Sequence, residues 1–172
     1  MASLEEMRKQ YDISGLDRKD LLESPTEMFR NWFEEIEEIN ALEPNAMTLA
    51  TATTSGKPTS RVVLLKEFDD KGFIFYTNYE SSKGMQIDAN PYGSVTFNWH
   101  SLERQVRIRG KIRKVSQDKS KKYFASRPRM SQISVLASNQ SEVIENREVL
   151  EKVFKKLEKK YENKVIPMPE YW

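Results

Sequence analysis

Hydrophobic and polar positions change their repeat twice along the chain. Met28, Phe29, Trp32, Phe33, Ile36 and Ile39 return at helical spacing and predict a helix with one broad apolar face. Ser24, Pro25 and Glu27 mark its start as a capping box with proline at the first helical position, which satisfies backbone N–H groups left open at a helix end. From Ala46 to about Ser116 the repeat falls to two and turn residues recur, predicting antiparallel strands over 46–53, 58–67, 72–78, 93–100 and 104–116. Ser55-Gly56-Lys57 and Asp69-Asp70-Lys71-Gly72 read as hairpin turns between these runs. The stretch SSKGMQIDAN, residues 81–90, predicts a short helix with a serine cap that stops before Pro91. Beyond Ser116 the helical repeat returns over 117–126, 129–137 and 145–162, where Leu150, Val153, Phe154, Leu157 and Tyr161 share a face, and the tail 165–172 is proline-interrupted. Residues 1–20 are polar and lack any sustained repeat, as expected of a mobile arm that orders only against something else. The pattern gives an α+β class: a small antiparallel β-barrel with flanking helices, one domain over 21–172.

Composition narrows the chemistry. At 172 residues the chain has the size of one domain, and its 38% apolar content suits a packed core. No cysteine is present, so disulfides, cysteine nucleophiles and thiolate metal sites are excluded; with His100 the lone histidine, paired-histidine metal motifs are excluded too. The 28 Lys and Arg nearly balance 26 Asp and Glu, so no global field draws the chain to nucleic acid or membrane. The longest apolar runs, such as Val62 to Leu65, are far short of a membrane span, and MASLEEMRKQ lacks a secretory apolar segment, which predicts a soluble cytoplasmic protein.

Three basic groupings could carry function. Residues 104–114 alternate Val106, Ile108 and Ile112 with Gln105, Arg107, Arg109, Lys111 and Arg113, so one strand face is apolar and the other cationic. That cationic face reads either as solvated and neutralised by nearby acids or as an anion-binding or oligomer-facing surface. Arg61 and Lys66 bracket an apolar strand, while Lys83 falls in the first turn of the short helix after Thr77, Ser81 and Ser82. A cation there opposes the helix dipole, yet suits a phosphate shared between helix N–H groups and neighbouring cations. Ser126-Arg127-Pro128-Arg129 is either a plain helix break or a cradle for a phosphate monoester. Neither a GxGxxG nor a GxxxxGK[ST] phosphate loop occurs.

In this order and spacing, NAMTLATAT, SRVVLLKEFDDKGFIFYTNYES, LERQVRIRGKI, YFASRPRMSQI, SNQSEVI and PMPEYW resemble the pyridoxamine 5'-phosphate oxidase family over about Arg8 to Trp172. The resemblance implies an FMN-binding split β-barrel, a homodimer with FMN in clefts between subunits, and an oxidoreductase of vitamin B6 salvage and pyridoxine biosynthesis. Its substrates would be pyridoxamine or pyridoxine 5'-phosphate, oxidised to pyridoxal 5'-phosphate with O2 as acceptor. It assigns FMN contacts to Arg61, Val62, Val63, Leu64, Leu65, Lys66, Tyr76, Thr77, Ser82, Lys83, Gln105, Gln140 and Ser141. It assigns the substrate phosphate to Lys66, Tyr123, Arg127 and Ser131, and closure over the substrate to Arg8 and Tyr11 of the arm. No metal and no nucleic-acid partner is implied.

Two departures bear on activity. Ser82 stands where the family commonly has arginine, which removes a cation and weakens the phosphate site by about 1 to 3 kcal/mol. Family members also continue with a GG turn, an FWQG segment and an RLHDR motif that supplies an arginine and a histidine at the substrate. These do not occur in the sequence, so a C-terminally truncated form with impaired catalysis is expected, and no catalytic side chain is assigned. His100 lies in a different motif and does not replace them. A non-catalytic flavin- or pyridoxal-phosphate-binding protein of the same fold is the alternative.

Overall fold

Gly56, at φ +83°, closes the hairpin joining β1 (Ala46–Ala52) to β2 (Pro58–Leu64), where left-handed backbone favours glycine. The computed structural model describes residues 3–7, 10–13 and 15–172. β3 (Glu67–Asp69) and β4 (Gly72–Ile74) form a separate two-stranded ribbon, turned at Asp69, whose Oδ1 accepts from the Lys71 and Gly72 N–H groups. β5 (Tyr92–Trp99) and β6 (Arg104–Lys111) complete an antiparallel sheet in the order β2-β1-β5-β6. No helix of the described residues is long and apolar enough to cross a membrane.

Helix α1 (Pro25–Glu38) begins as the sequence predicts, with Ser24 Oγ accepting from Glu27 N–H at 3.3 Å. It buries Phe29 and Ile36 against Met47, Leu65, Phe97 and Trp99. The Phe29 ring meets Phe68 and Phe73 edge-on, each at 4.9 Å between centroids, so one helix residue fastens the ribbon to the sheet. Helix α2 (Ser82–Ala89) crosses the end of β1; α3 (Gln117–Ser126), α4 (Arg129–Ala137) and α5 (Arg147–Tyr161) form a second layer around Phe124, Ile133 and Ile166. Arg129 donates to the carbonyls of Tyr161 and Lys164, closing the end of α5. Tyr79 N–H donates to Tyr171 O at 2.7 Å and Tyr171 Oη donates to Val135 O, so the final residues tie the α2 entry to α4.

Several predicted bounds shift. The strand expected over 58–67 breaks after Leu64, because Leu65 N–H turns to Asn45 O and Lys66 N–H to Ile74 O. The strand expected over 72–78 stops at Ile74, since Asn78 turns the chain into α2 by accepting from Glu80 N–H and Ser81 Oγ. The strand expected over 104–116 closes at Lys111, opposite Tyr92; the next partner residue is Pro91, which has no N–H to donate. Ile39 falls just past the end of α1 and is exposed.

Candidate functional site

Met47, Leu49 and Thr51 are the buried alternate residues of β1, and in register they oppose Val63, Arg61 and Thr59. Arg61 therefore reaches across the sheet on the same face as the core. Its Nη1 donates to Thr51 Oγ1 at 2.6 Å and to Leu49 O, and its Nη2 donates to Thr59 Oγ1 at 2.5 Å. Facing it, the first turn of α2 is drawn tightly onto the preceding loop. Ser81 Oγ accepts from Gly84 N–H, and a Cβ at Gly84 would stand 2.2 Å from Tyr79 O, so that turn requires glycine. Lys83, 8% exposed, bends back so that Nζ donates to Ser81 Oγ at 3.1 Å and to Gln140 Oε1 at 2.9 Å.

These two cations face each other without an acid. Burial pulls the Lys83 ammonium below its ordinary pKa, and the Arg61 charge pulls it further the same way. Burial likewise lowers Arg61. No ion pair of either is formed among the described residues. Two cations brought together beside a helix start, without a carboxylate, form an electrostatic cost that a bound phosphate would remove.

A second basic group lies at the start of α4. Arg127 Cζ stands 4.6 Å over the Trp172 ring, and its Nη1 is buried without a hydrogen-bond partner among the described residues. Burial lowers Arg127, while Tyr123 acts to raise it. Tyr123 stacks on Tyr76 at 3.8 Å, nearly parallel, and the Tyr76 hydroxyl is also buried without a hydrogen-bond partner among the described residues. Burial raises both phenols. A cavity of about 1460 Å³ lies over the inner face of the sheet, lined by Met47, Leu49, Ile108, Tyr76, Thr77 and Trp172, while Arg61, Lys83, Tyr123 and Arg127 are not among its lining residues.

The structure thus gathers Arg61 with Lys83 and Gln140, and Tyr76 with Tyr123 and Arg127. Thr77 lines the cavity; Val63 and Leu65 belong to the core; Ser131 is half-buried in the first turn of α4. Lys66 and Ser82 are exposed, and Ser141 follows Gln140 at φ +77°. Val62 and Gln105 are not brought to either group: they stand on the opposite, exposed face of the sheet, beside Thr48 and Asn98. Tyr11 is exposed, and Arg8 lies outside the described residues. Arg107, Arg109 and Lys111 are exposed on that same outer side and make no ion pair among the described residues. His100 sits exposed in the β5–β6 turn beside Asn98. Sequence reasoning missed Thr51, Thr59 and Gln86 around Arg61, and the stacking of Trp172 on Arg127.

The architecture is shared with solved structures. PhzG from Burkholderia lata, determined with tetrahydrophenazine-1-carboxylic acid, superposes with a TM-score of 0.84 at 27% identity, covering 89% of this chain and 75% of that one. A pyridoxamine 5'-phosphate oxidase-related, FMN-binding protein from Nostoc punctiforme has the same fold, with a TM-score of 0.59 at 15% identity over 76% of this chain and 73% of its own. The class is therefore the antiparallel split barrel of FMN-binding proteins, with flanking helices. The family model described as pyridoxamine 5'-phosphate oxidase matches residues 33–161. A pyridoxine/pyridoxamine 5'-phosphate oxidase from Gloeothece citriformis is 49% identical over 170 residues, 99% of this chain and 79% of the relative. One from Leptospira interrogans is 49% identical over 169 residues, 98% of this chain and 79% of its own. The chain belongs to the pyridoxamine 5'-phosphate oxidase family, a family of oxidoreductases.

Proposed function

We propose that the chain is a flavin-dependent oxidase that binds FMN and converts pyridoxamine or pyridoxine 5'-phosphate to pyridoxal 5'-phosphate with O2 as acceptor. The observation that carries this reading is the acid-free pair of Arg61 and Lys83 at the start of α2. The pair fits a phosphate dianion: Lys83 offers an ammonium, Arg61 keeps N–H groups unspent, and Gly84 keeps the turn free of side-chain bulk. Bound there, FMN would supply the two-electron acceptor for the C4' carbon and the route of those electrons to O2.

The protein's own residues place and enclose the reactants. Arg127 and Tyr123 would hold the ester phosphate of the substrate, with the unpartnered Nη1 of Arg127 as donor. Tyr76 and Tyr123 form a flat aromatic wall, and Trp172 holds the Arg127 guanidinium by its face. Holding two phosphates at fixed places sets the substrate carbon relative to its acceptor without any protein nucleophile. Val62 and Gln105 face outward from this chain, so the proposal includes a homodimer in which a second copy brings such residues to the cleft.

Reconstitution with FMN followed by pyridoxamine 5'-phosphate tests the reading. Peroxide release in step with pyridoxal 5'-phosphate formation is expected. Full FMN occupancy with no turnover would leave a flavin-binding protein and remove the oxidase.

A further inference from the structure

Behind Arg61 lies a closed hydrogen-bond circuit that the flavin reading does not use. Thr51 Oγ1 and Thr59 Oγ1 each accept from the Arg61 guanidinium, at 2.6 and 2.5 Å. Each hydroxyl also donates to the same atom, Gln86 Oε1, at 2.5 and 2.8 Å. Thr51 and Thr59 are direct cross-strand partners of β1 and β2, and Gln86 descends onto them from α2. A hydroxyl has one hydrogen; if that hydrogen pointed at the guanidinium, donor would meet donor. Gln86 Oε1 draws both hydrogens away, so both oxygens present lone pairs to Arg61. Thr51 is 2% exposed, so water does not substitute for that acceptor.

The circuit spends Nη1 and one Nη2 hydrogen of Arg61 on protein oxygens and leaves Nε–H and the second Nη2–H without a protein acceptor among the described residues. Lys83 and Gln86 lie three positions apart on α2, so one helix carries one cation directly and orients the other through two hydroxyls. We propose that Gln86, acting through Thr51 and Thr59, is a positioning residue that aims the free Arg61 N–H groups at the phosphate of the flavin. This rests on the flavin reading above.

The test compares dissociation constants for FMN and for riboflavin, which lacks the phosphate, by quenching of flavin fluorescence on the full chain. Gln86→Leu is expected to weaken FMN on the order of tenfold, the scale of one charge-assisted contact, while leaving riboflavin within about twofold. Thr51→Val should behave as Gln86→Leu, and Thr51→Ser, which keeps the hydroxyl, should restore FMN affinity. In an Arg61→Ala background, Gln86→Leu should cost nothing further. If Gln86→Leu does not fold, Thr59→Val at an exposed position reads the same circuit. Equal losses for FMN and riboflavin would mean a merely structural role and overturn the proposal. So would full FMN affinity in Gln86→Leu where Arg61→Ala weakens it. Unchanged FMN affinity in Arg61→Ala would instead remove the flavin-phosphate reading and this inference with it.

Discussion

Lys83 stands in the first turn of α2, where the helix dipole disfavours a positive charge, and it is nearly buried beside a second cation. Its folded pKa is depressed, first by burial and then by Arg61, so the native chain binds this proton less tightly than the unfolded chain does. The sign follows: this group adds stability as pH rises from its folded pKa toward the ordinary lysine value, and subtracts stability below. Phosphate binding works the other way, because a dianion favours the charged ammonium and pulls the pKa back up. FMN affinity should therefore fall as pH climbs through the depressed Lys83 pKa, by up to about tenfold per pH unit, and Lys83→Arg should move that fall to higher pH. Fluorescence titration across the alkaline range measures it; a flat profile would show that Lys83 does not face the phosphate. Lys83→Ala should raise the FMN dissociation constant about tenfold at neutral pH. Arg127→Ala has a different signature. It should weaken pyridoxal 5'-phosphate binding by tenfold or so while FMN retention stays unchanged, since Arg127 belongs with Tyr123 and Trp172 rather than with Lys83.

At the scale of elements, the entry to α2 is the tightest joint of the site. Asn78 O, Ser81 Oγ, Gly84 N–H and Lys83 Nζ share a single turn, and the Tyr79 carbonyl fills the space where a Gly84 side chain would go. Gly84→Ala must push the helix off that carbonyl, at a cost of about 1 to 3 kcal/mol in denaturant unfolding, and should weaken FMN by displacing Lys83. Retained stability with retained FMN affinity would show that the turn relaxes freely. The serine cap of this helix was legible because its signal is local. So were both hairpins, for Gly56 and the Asp69–Gly72 turn carry their geometry in their own residues. The ends of the second and third predicted strands were not, because Leu65 and Lys66 turn their N–H groups to Asn45 and Ile74 on separate segments, and Asn78 accepts from Glu80 and Ser81 just ahead of α2. The Gln86 circuit was likewise hidden: it needs Thr51 paired to Thr59 across a hairpin and a helix laid on top, a register that no single stretch of sequence contains.

Across the whole molecule, the two basic groups sit on one side of the sheet, and the other side remains open. Arg61, Thr51 and Leu49 face inward with the core, whereas Thr48, Val62, Asn98, Gln105 and Arg107 face outward. Val62 is 66% exposed in the middle of β2, opposite Thr48 on the outer face. The resemblance to the oxidase family assigns Val62 and Gln105 to the flavin, yet one chain cannot bring the outer face to its own inner cleft. A second copy resolves the conflict if its outer face closes the cleft of the first. Sedimentation should then give the mass of two chains. Val62→Asp, a charge placed on that face, should shift the mass toward one chain and weaken FMN by tenfold or more while far-ultraviolet circular dichroism stays unchanged. A single chain that binds FMN as tightly as the parent protein would show that the cleft is complete within one subunit, and that the outward residues take no part in it.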